Sequence, residues 1–328
     1  MDKNEHKTVA IHTMGCRLNF SESGSIAEGF AQRGYKIVEF GAPADVVFLN
    51  TCTVTDSADS GARNWIRRAV QSSPDGKIVV AGCFAQMEPG QAKNIPGVDL
   101  ILGTSEKYKV FDYLDDDASV QVKIDHDQNF WGAATSLESG QTRAFLKIQD
   151  GCNYICSYCI IPFARGRSRT LSIQEVVAQA KDLVTKGFKE IVLTGVNIGE
   201  YEAKSGEKLS KLVDELQKVV GLKRLRLSSV ESNTITEELL KTLKEGGIYQ
   251  NHFHLPLQSA NDEILTQMRR KYLIADYQRV LNLIDQYYPE ATIGADVIVG
   301  FPGETENHFQ STYNFIKDSK LSHLHVFP

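Results

Sequence analysis

Three of the six cysteines lie within eight residues, and this cluster constrains the chain more than any other feature. The segment DGCNYICSYCIIP, residues 150–162, has the spacing C-x3-C-x2-C. One alternative is the face of a buried helix, but Gly151, Asn153 and Pro162 disfavour a continuous helix. A second alternative is zinc, which usually takes paired C-x2-C units and four ligands, whereas no fourth Cys or His follows nearby. Thiolates are the ligands of iron–sulfur clusters, and three of them leave one iron of a four-iron cluster open.

The overall composition is that of an ordinary globular protein. The chain has 328 residues, which suggests about two domains, and 42% of them are apolar. Its 36 basic and 41 acidic residues give a net charge of −5, which argues against a uniformly basic surface that wraps nucleic acid. The sequence shows no apolar run long enough to span a bilayer and no signal peptide at its start. We therefore expect a cytoplasmic protein without membrane contact, whose cysteines have a role other than disulfide formation.

Strand-like and helix-like segments alternate through the first third of the chain. Apolar, β-branched segments predict strands at Thr8–Thr13, Asp45–Asn50, Lys77–Ala81 and Val98–Leu102. Helical patterns lie between and after them, near Ser21–Arg33, Ser57–Ser73, Gln86–Asn94 and Glu106–Leu114. This alternation predicts an α/β domain with a doubly wound parallel sheet, in which ligands bind beyond the carboxyl ends of the strands. The remaining cysteines directly follow three of these strands, so a second open three-thiolate cluster is predicted at Cys16, Cys52 and Cys83.

The alternation is lost between Asp115 and Thr142, where only Val120–Ile124 resembles a strand. The predicted organisation is therefore a domain at residues 1–120, a connector at 121–142, and a second domain at 143–328. Strands of the second domain are predicted at Ala144–Ile148, Glu190–Thr194, Arg224–Ser228, His252–Leu257, Thr292–Val299 and His323–Phe327. Helix start signals lie between them, including a capping-box pattern at Ser172–Glu175 and a second start at Thr234–Glu237. Six strands with five intervening helices predict an incomplete (β/α)6 barrel.

The cysteine loop resembles the radical S-adenosylmethionine superfamily, whose signature is C-x3-C-x-aromatic-C, with Tyr158 as the aromatic residue here. By this resemblance, the loop cysteines Cys152, Cys156 and Cys159 hold a [4Fe-4S] cluster whose open iron binds S-adenosylmethionine and generates a 5′-deoxyadenosyl radical. Catalytic loops of a barrel belong at the carboxyl ends of its strands, where polar or glycine turns occur in this sequence. The candidate S-adenosylmethionine contacts are Tyr158, Gly195, Val196, Asn197, Ser229, Glu231, Gln258 and Gly300.

Two cysteine triads in this order resemble the methylthiotransferase family, and the similarity runs through the whole chain. The segments that carry it are GCRLN (15–19), NTC (50–52), GCFAQ (82–86), IQDGC (148–152), IPFARGRSR (161–169) and DVIVGFPGE (296–304). The resemblance implies two [4Fe-4S] clusters, one per triad, with all six cysteines as catalytic metal ligands. Members of this family insert sulfur into a C–H bond and methylate it, with S-adenosylmethionine as methyl donor and radical source. Residues 15–22 most resemble the branch that acts on N6-threonylcarbamoyladenosine beside the tRNA anticodon; isopentenyladenosine in tRNA and a ribosomal-protein aspartate are the alternatives.

The same resemblance implies a tRNA anticodon stem-loop as partner and an electron donor such as flavodoxin or ferredoxin. The family normally continues into an RNA-binding β-barrel, the TRAM domain, which these 328 residues lack, and we expect a truncated chain. Local basic residues are candidate phosphate contacts, at Arg63, Arg67, Arg68, Arg165, Arg167, Arg169, Arg224, Arg226, Arg269, Arg270 and Lys271. A function of another class, a non-catalytic two-cluster redox or RNA-binding module, is disfavoured by the open-site spacing of the cysteine loop.

Overall fold

The computed structural model describes residues 6–115, 119–122, 132–135 and 141–328. The chain divides into two compact units. Unit 1 comprises Met1–Lys147 together with Ile160–Arg167, and unit 2 comprises Ile148–Cys159 together with Ser168–Pro328. Each unit therefore contains one of the two cysteine triads. Much of the predicted connector lies outside the described residues, as does the end of the predicted strand at Val120–Ile124.

Unit 1 alternates strands and helices, as its sequence predicts. Its elements are β1 (Thr8–Thr13), α1 (Arg17–Gln32), β2 (Lys36–Val38), β3 (Val46–Thr51), α2 (Asp56–Ser72), β4 (Lys77–Gly82), α3 (Cys83–Met87), α4 (Pro89–Lys93), β5 (Leu100–Leu102), α5 (Val110–Tyr113), β6 (Ser119–Gln121), β7 (Ala133–Ala134), β8 (Ala144–Lys147) and α6 (Ile161–Arg165). The sequence prediction missed β2, because an edge strand of three residues is too short to show an alternating pattern.

Six strands of unit 1 form one parallel sheet in the order β2-β1-β3-β4-β5-β6. The predicted doubly wound arrangement is confirmed. In such a sheet the strand order reverses at one point, here between β1 and β3, and ligands bind beyond the carboxyl ends of the strands on either side of that point. This rule assigns the ligand position of unit 1 to the residues that follow Thr13 and Thr51.

Both faces of this sheet are covered by helices, which explains why its strands are apolar on both sides. On one face, Val47 and Leu49 of β3 pack with Ile66 of α2 and Phe84 of α3. On the other face, Phe48 packs with the cluster formed by Ile26 and Phe30 of α1 and Val110 of α5. Successive residues of a strand point to opposite faces, so β3 is buried along its whole length.

Unit 2 again alternates strands and helices. Its elements are β9 (Gln149–Asp150), β10 (Arg169–Thr170), α7 (Ile173–Thr185), β11 (Glu190–Thr194), α8 (Leu209–Gln217), β12 (Arg224–Leu227), α9 (Glu237–Glu245), β13 (His252–His254), α10 (Asp262–Gln267), α11 (Ile274–Tyr287), β14 (Thr292–Ile298), α12 (Glu306–Asp318) and β15 (Leu321–Phe327). Strand β11 pairs with β12, and β14 pairs with both β13 and β15, in every case in parallel. Parallel strands joined by helices are the arrangement predicted for this part of the chain.

The helix starts of unit 2 agree with the sequence signals at one position and differ at another. The capping box at Ser172 is confirmed, because its hydroxyl accepts a hydrogen bond from Glu175 N while the Glu175 carboxylate accepts from Ser172 N. The start predicted at Thr234 is wrong by two residues. Thr234 belongs to a preceding 3-10 turn, and Thr236 caps α9 by accepting from Leu239 N at 3.1 Å. Two threonines at spacing i, i+2 offered equivalent caps to the sequence pattern.

Candidate functional site

Cys16, Cys52 and Cys83 lie at the carboxyl ends of three neighbouring strands of unit 1. Cys16 precedes α1 after the end of β1, Cys52 directly follows β3, and Cys83 is the first residue of α3 after β4. Because β1, β3 and β4 are adjacent and parallel, the three cysteines share one edge of the sheet. Two of them flank the point at which the strand order reverses, which is where such folds bind ligands.

Two glycines allow the backbone to approach this triad closely. Gly15 and Gly82 have φ angles of +87° and +99°, which glycine adopts far more readily than other residues. A Cβ atom at Gly15 would lie 2.6 Å from Cβ and 2.7 Å from Sγ of Cys52, and one at Gly82 would lie 2.6 Å from the carbonyl oxygen of Thr51. Glycine at these two positions therefore lets the backbone before Cys16 pass close to Cys52 and the backbone before Cys83 pass close to Thr51.

The environment of these thiols suits ligands of a positively charged group better than free nucleophiles. Burial, together with the neighbouring Cys83 and Cys16, raises the pKa of Cys52 to about 11, although a hydrogen bond from the Val54 backbone opposes the shift. Burial also raises the pKa of Cys83, against the opposing effect of Arg165 and Lys107. Such thiols stay protonated at neutral pH and react slowly, whereas a bound metal centre deprotonates them outright. The arrangement therefore fits metal ligation.

The separation of the sulfur atoms distinguishes a single ion from a cluster. A tetrahedral zinc with Zn–S bonds of about 2.3 Å would hold its sulfurs about 3.8 Å apart. Within the described ranges, neither cysteine triad brings its three sulfur atoms within 4.8 Å of one another. Neither triad is therefore arranged as a preformed tetrahedral zinc site.

A buried network of charged side chains also lies in unit 1. The Glu22 carboxylate accepts hydrogen bonds from Lys147 Nζ and from an Arg165 guanidinium nitrogen, each at 2.9 Å, and forms an ion pair with Lys107. Each of the four side chains is at most 1% exposed. Arg165 donates a further hydrogen bond to Asn19 Oδ1 at 2.7 Å. Three buried cations thus share one carboxylate.

The charged side chains of this network also affect the pKa of a cysteine in the unit 1 triad. Burial opposes ionisation of Glu22, but the combined effect of Arg165, Lys107 and Lys147 holds the pKa of its carboxyl well below 4.5. Burial lowers the pKa of Lys107 although Glu22 counteracts it, as expected where one carboxylate serves three cations. Arg165 and Lys107 also favour the thiolate form of Cys83. Buried positive charge therefore lies within electrostatic reach of Cys83.

Cys152, Cys156 and Cys159 lie in a loop of unit 2 that follows β9. The loop is held by its backbone, since Asn153 N donates to Glu200 Oε2 at 3.1 Å and Ser157 N donates to the carbonyl of Met268 at 3.2 Å. Burial raises the pKa of Cys152 to about 12, and the Tyr154 backbone N–H, at 3.3 Å from its sulfur, opposes this shift. The loop is not helical, so the alternative of a buried helix face is excluded.

Gln149 connects the cysteine loop to the turn after β11. Its Nε2 donates to the carbonyl of Gly151 at 2.6 Å and to Ser168 Oγ at 2.9 Å, while its Oε1 accepts from Asn197 N at 2.9 Å. A Cβ atom at Gly195 would lie 2.7 Å from the same Oε1. Gln149 was not among the sequence-predicted site residues, and the signal that could have found it is its position in a strand directly before the loop.

Arg270 has a role that the sequence did not reveal. One guanidinium nitrogen lies 3.4 Å from Cys156 Sγ and 3.3 Å from the Tyr158 hydroxyl, and the other forms an ion pair with Glu231. The Arg270 side chain is 3% exposed. Burial raises the pKa of Glu231, with Arg270 opposing, and burial also raises the pKa of Tyr158. Arg270 therefore connects a predicted S-adenosylmethionine contact to a predicted cluster ligand.

The other predicted S-adenosylmethionine contacts lie after the carboxyl ends of successive strands. These residues are Gly195, Val196 and Asn197 after β11, Ser229 and Glu231 after β12, Gln258 after β13, and Gly300 after β14. Gln258 has a φ of +64°, which is rare for a residue other than glycine. Its backbone N donates to Asp296 O at 2.7 Å and its carbonyl accepts from Ile298 N at 2.9 Å, so pairing with β14 maintains the strained conformation. Strain of this kind is typical of functional sites.

The candidate phosphate contacts fall into three groups: buried residues, exposed residues, and residues bound to a neighbouring side chain. The third group includes Arg63, which donates to Gln91, and Arg169, which pairs with Asp150. Arg165 and Arg270 are buried in the ion pairs described above, so the prediction that they contact RNA phosphates is wrong. Arg67, Arg68, Arg167, Arg269 and Lys271 are exposed. Arg224 and Arg226 both bind Glu190, at 2.7 and 2.6 Å.

Among the described residues, no helix has the length and apolar character needed to cross a membrane.

Two family models match the chain, one in each half. The model of the radical SAM superfamily matches residues 146–316, which include Cys152, Cys156 and Cys159. The model described as uncharacterized protein family UPF0004 matches residues 8–103, which include Cys16, Cys52 and Cys83. Each family thus covers one cysteine triad together with the strands that position it.

Solved structures support the fold. A radical S-adenosylmethionine methyltransferase from Kitasatospora setae superposes with a TM-score of 0.69 at 14% identity, over 98% of this chain and 75% of that one. A cobalamin-dependent S-adenosylmethionine radical enzyme superposes with a TM-score of 0.64 at 13% identity, over 95% of this chain and 52% of that one. At such identities the comparison establishes the α/β fold predicted from the sequence.

Similar sequences reach nearly full coverage. The threonylcarbamoyladenosine tRNA methylthiotransferase of Bacillus subtilis is 44% identical over 98% of this chain and 73% of that protein, and its Aquifex aeolicus counterpart is 39% identical over 98% and 80%. The tRNA-2-methylthio-N6-dimethylallyladenosine synthase of Clostridium tetani is 33% identical over 99% of this chain and 75% of that protein. The chain therefore belongs to the methylthiotransferase family of the radical SAM superfamily.

Proposed function

We propose that this protein is a tRNA methylthiotransferase that converts N6-threonylcarbamoyladenosine next to the anticodon to its 2-methylthio derivative. The observation that carries the proposal is the presence of two separate cysteine triads, one at the carboxyl ends of parallel strands in unit 1 and one in the loop after β9, in a chain 44% identical to an enzyme with that name. A protein that only generated a radical would need a single triad. Sulfur insertion requires a second triad in addition, and unit 1 provides one where its strand order reverses.

The residues present fit two [4Fe-4S] clusters and S-adenosylmethionine. Each triad offers three thiols, which are the soft ligands that such clusters take. Because residue 15 is glycine, it has no side chain that would collide with the side chain of Cys52. When bound, these groups supply a carbon radical at the unit 2 triad and a sulfur source at the unit 1 triad.

The protein's own residues position and neutralise these groups. Glycine turns and Gln149 hold the backbone at Cys16 and at the unit 2 loop, respectively. Arg270 places a positive charge 3.4 Å from Cys156 Sγ, and Arg165 and Lys107 act on Cys83 in the same way. Cations beside thiolates stabilise the ionised ligands, so each triad has its own electrostatic support.

For the substrate, similarity favours threonylcarbamoyladenosine, because four relatives with that name are 36–44% identical whereas the dimethylallyladenosine synthase of Clostridium tetani is 33% identical. The partner is then a tRNA anticodon stem-loop, with the reaction in the cytoplasm and with electrons from a flavodoxin- or ferredoxin-type donor. The remaining candidates for contacts with tRNA phosphates are the exposed basic residues Arg67, Arg68, Arg167, Arg269 and Lys271.

Two cysteine variants test the proposal. The anaerobically reconstituted protein and its Cys152→Ala and Cys52→Ala variants are incubated with reductant and S-adenosylmethionine. Parallel reactions contain tRNA with either threonylcarbamoyladenosine or dimethylallyladenosine. We expect Cys152→Ala to lose 5′-deoxyadenosine formation, and Cys52→Ala to keep it but yield no methylthio nucleoside by mass analysis. Methylthiolated product from Cys52→Ala contradicts the assignment of unit 1, and product only with dimethylallyladenosine tRNA contradicts the substrate.

A further inference from the structure

The strands β13, β14 and β15 have one apolar face and one polar face. On β14, Ile293, Ala295 and Val297 are buried among apolar residues, so the alternate residues Gly294 and Asp296 lie on the opposite face. The strand register pairs Gly294 with His254 of β13 and with His323 of β15, and Asp296 with His325. Three histidines and one aspartate therefore share the polar face of this sheet.

Three of these residues bring their ligand atoms together. His254 Nε2 and His325 Nδ1 each lie 3.1 Å from Asp296 Oδ1. In the described part of the chain, these are the one set of three or more His, Cys, Asp or Glu side chains whose ligand atoms all lie within 4.8 Å of one another. A divalent metal with bonds of about 2.0–2.2 Å to nitrogen and oxygen would hold such atoms about 3.4 Å apart, close to the observed spacing.

The surroundings favour a cation and keep one side of the site open. The Asp296 carboxylate brings a negative charge to the set, which attracts a cation and repels an anion. A Cβ at residue 294 would lie 3.0 Å from His254 Nδ1, so glycine there gives the imidazole room. The side chain of His254 is 11% exposed, whereas that of His325 is 53% exposed, so His325 can be reached from solvent.

Neighbouring residues provide further support. His323 Nε2 lies 3.0 Å from His325 Nε2, which positions the His325 ring from the side away from Asp296. A hydrogen bond to the second ring nitrogen of a metal-binding histidine is a common feature of metal sites, because it fixes ring orientation. His323 therefore has the role of an orienting partner.

We propose that His254, Asp296 and His325 form a binding site for a divalent transition metal such as zinc or iron. Two imidazoles and one carboxylate are ligands typical of Zn²⁺ and Fe²⁺, and three protein ligands leave positions for water or for an oxygen atom of a bound molecule. The site contains no cysteine, so it is chemically distinct from both triads. The inference stands on this geometry alone and does not depend on the proposed function.

The test measures zinc binding by the cluster-loaded protein. Wild type, Asp296→Asn and His325→Gln are reconstituted anaerobically, freed of loose metal, and titrated with Zn²⁺ against a chromophoric chelator. His308→Gln is the matched control, because His308 also faces a carboxylate, that of Glu263 at 3.4 Å, outside the proposed site. Iron content and circular dichroism establish that each variant retains its clusters and fold.

We expect wild type and His308→Gln to bind one zinc more tightly than the other two variants, by at least tenfold. X-ray absorption spectroscopy at the zinc edge is expected to show nitrogen and oxygen neighbours at about 2.0–2.2 Å from zinc and no sulfur at about 2.3 Å. Equal zinc affinity in wild type and His325→Gln overturns the proposal, and so does zinc surrounded by sulfur. In either case the three side chains form a hydrogen-bonded set only, and the proposed methylthiotransferase function is unaffected.

Discussion

The Glu22→Gln substitution tests the buried charge network most directly. Glu22 is the carboxylate shared by Lys107, Lys147 and Arg165, and all four side chains are buried. Glutamine has nearly the same shape, so packing is preserved while the only negative charge of these four residues is removed. Lys107, Lys147 and Arg165 then lose the carboxylate that they share in a low-dielectric interior.

The expected loss of stability is large. Removing one partner of a buried ion pair costs about 3–5 kcal/mol, mainly because the remaining charge is left uncompensated. That is a large part of the roughly 5–15 kcal/mol by which a folded domain is stable. For a unit of this size, the loss corresponds to a melting temperature lower by roughly 6–20 °C.

Urea unfolding of the cluster-free protein at pH 7, followed by circular dichroism, measures this loss. The control is Lys218→Gln, which breaks an exposed ion pair with Asp214 and Glu215 and is expected to leave the midpoint unchanged. A Lys147→Met variant removes one of the three cations while Glu22 still pairs with the other two, so it is expected to cost less than Glu22→Gln. The reasoning is refuted if Glu22→Gln unfolds within about 1 kcal/mol of wild type, since exposed pairs contribute that much at most.

The same pair predicts a specific pH dependence. The pKa of Glu22 is held well below 4.5 in the folded state, so its ionisation contributes stability that is fully present above pH 4.5. That contribution is lost as the pH falls through the folded-state pKa. The difference in stability between wild type and Glu22→Gln is therefore expected to be constant from pH 7 to about pH 5 and to shrink in more acidic solution.

Two further predictions concern the triads. In Gly15→Ala the added Cβ would lie 2.6 Å from Cβ and 2.7 Å from Sγ of Cys52, so we expect the iron content per chain to fall to about half. The control is Gly34→Ala, because Gly34 also has a positive φ, +83°, but has no atom within 4 Å of an added Cβ; this variant is expected to keep its iron. Arg270→Met removes the cation 3.4 Å from Cys156 Sγ, so we expect the reduction potential of the unit 2 cluster to become more negative in a redox titration followed by electron paramagnetic resonance. The control is Arg269→Met at an exposed neighbouring residue, and an equal shift in that variant would show that the effect is not local.

Local features of the sequence predicted most of the fold and the six cysteines. Strands β1, β3 and β4 are apolar and β-branched, and each predicted strand ends within one residue of the observed one. Parallel pairing of consecutive strands then places whatever follows them at one edge, which is why Cys16, Cys52 and Cys83 could be grouped from the sequence alone. The glycines at positions 15 and 82 also gave a local signal, because tight turns require them.

The polar partners of the sites could not be predicted in this way, because they are distant in sequence. Glu22 meets Lys107, Lys147 and Arg165 across separations of 85, 125 and 143 residues, and Arg270 meets Cys156 across 114. Local pattern treats Arg165 and Arg270 as members of exposed basic clusters, since their neighbours Arg167 and Arg269 are in fact exposed. A buried cation is stable only where its counter-charge is also buried, and that condition depends on the whole fold. The two arginines are therefore better tested as supports of the cysteine triads than as contacts with RNA.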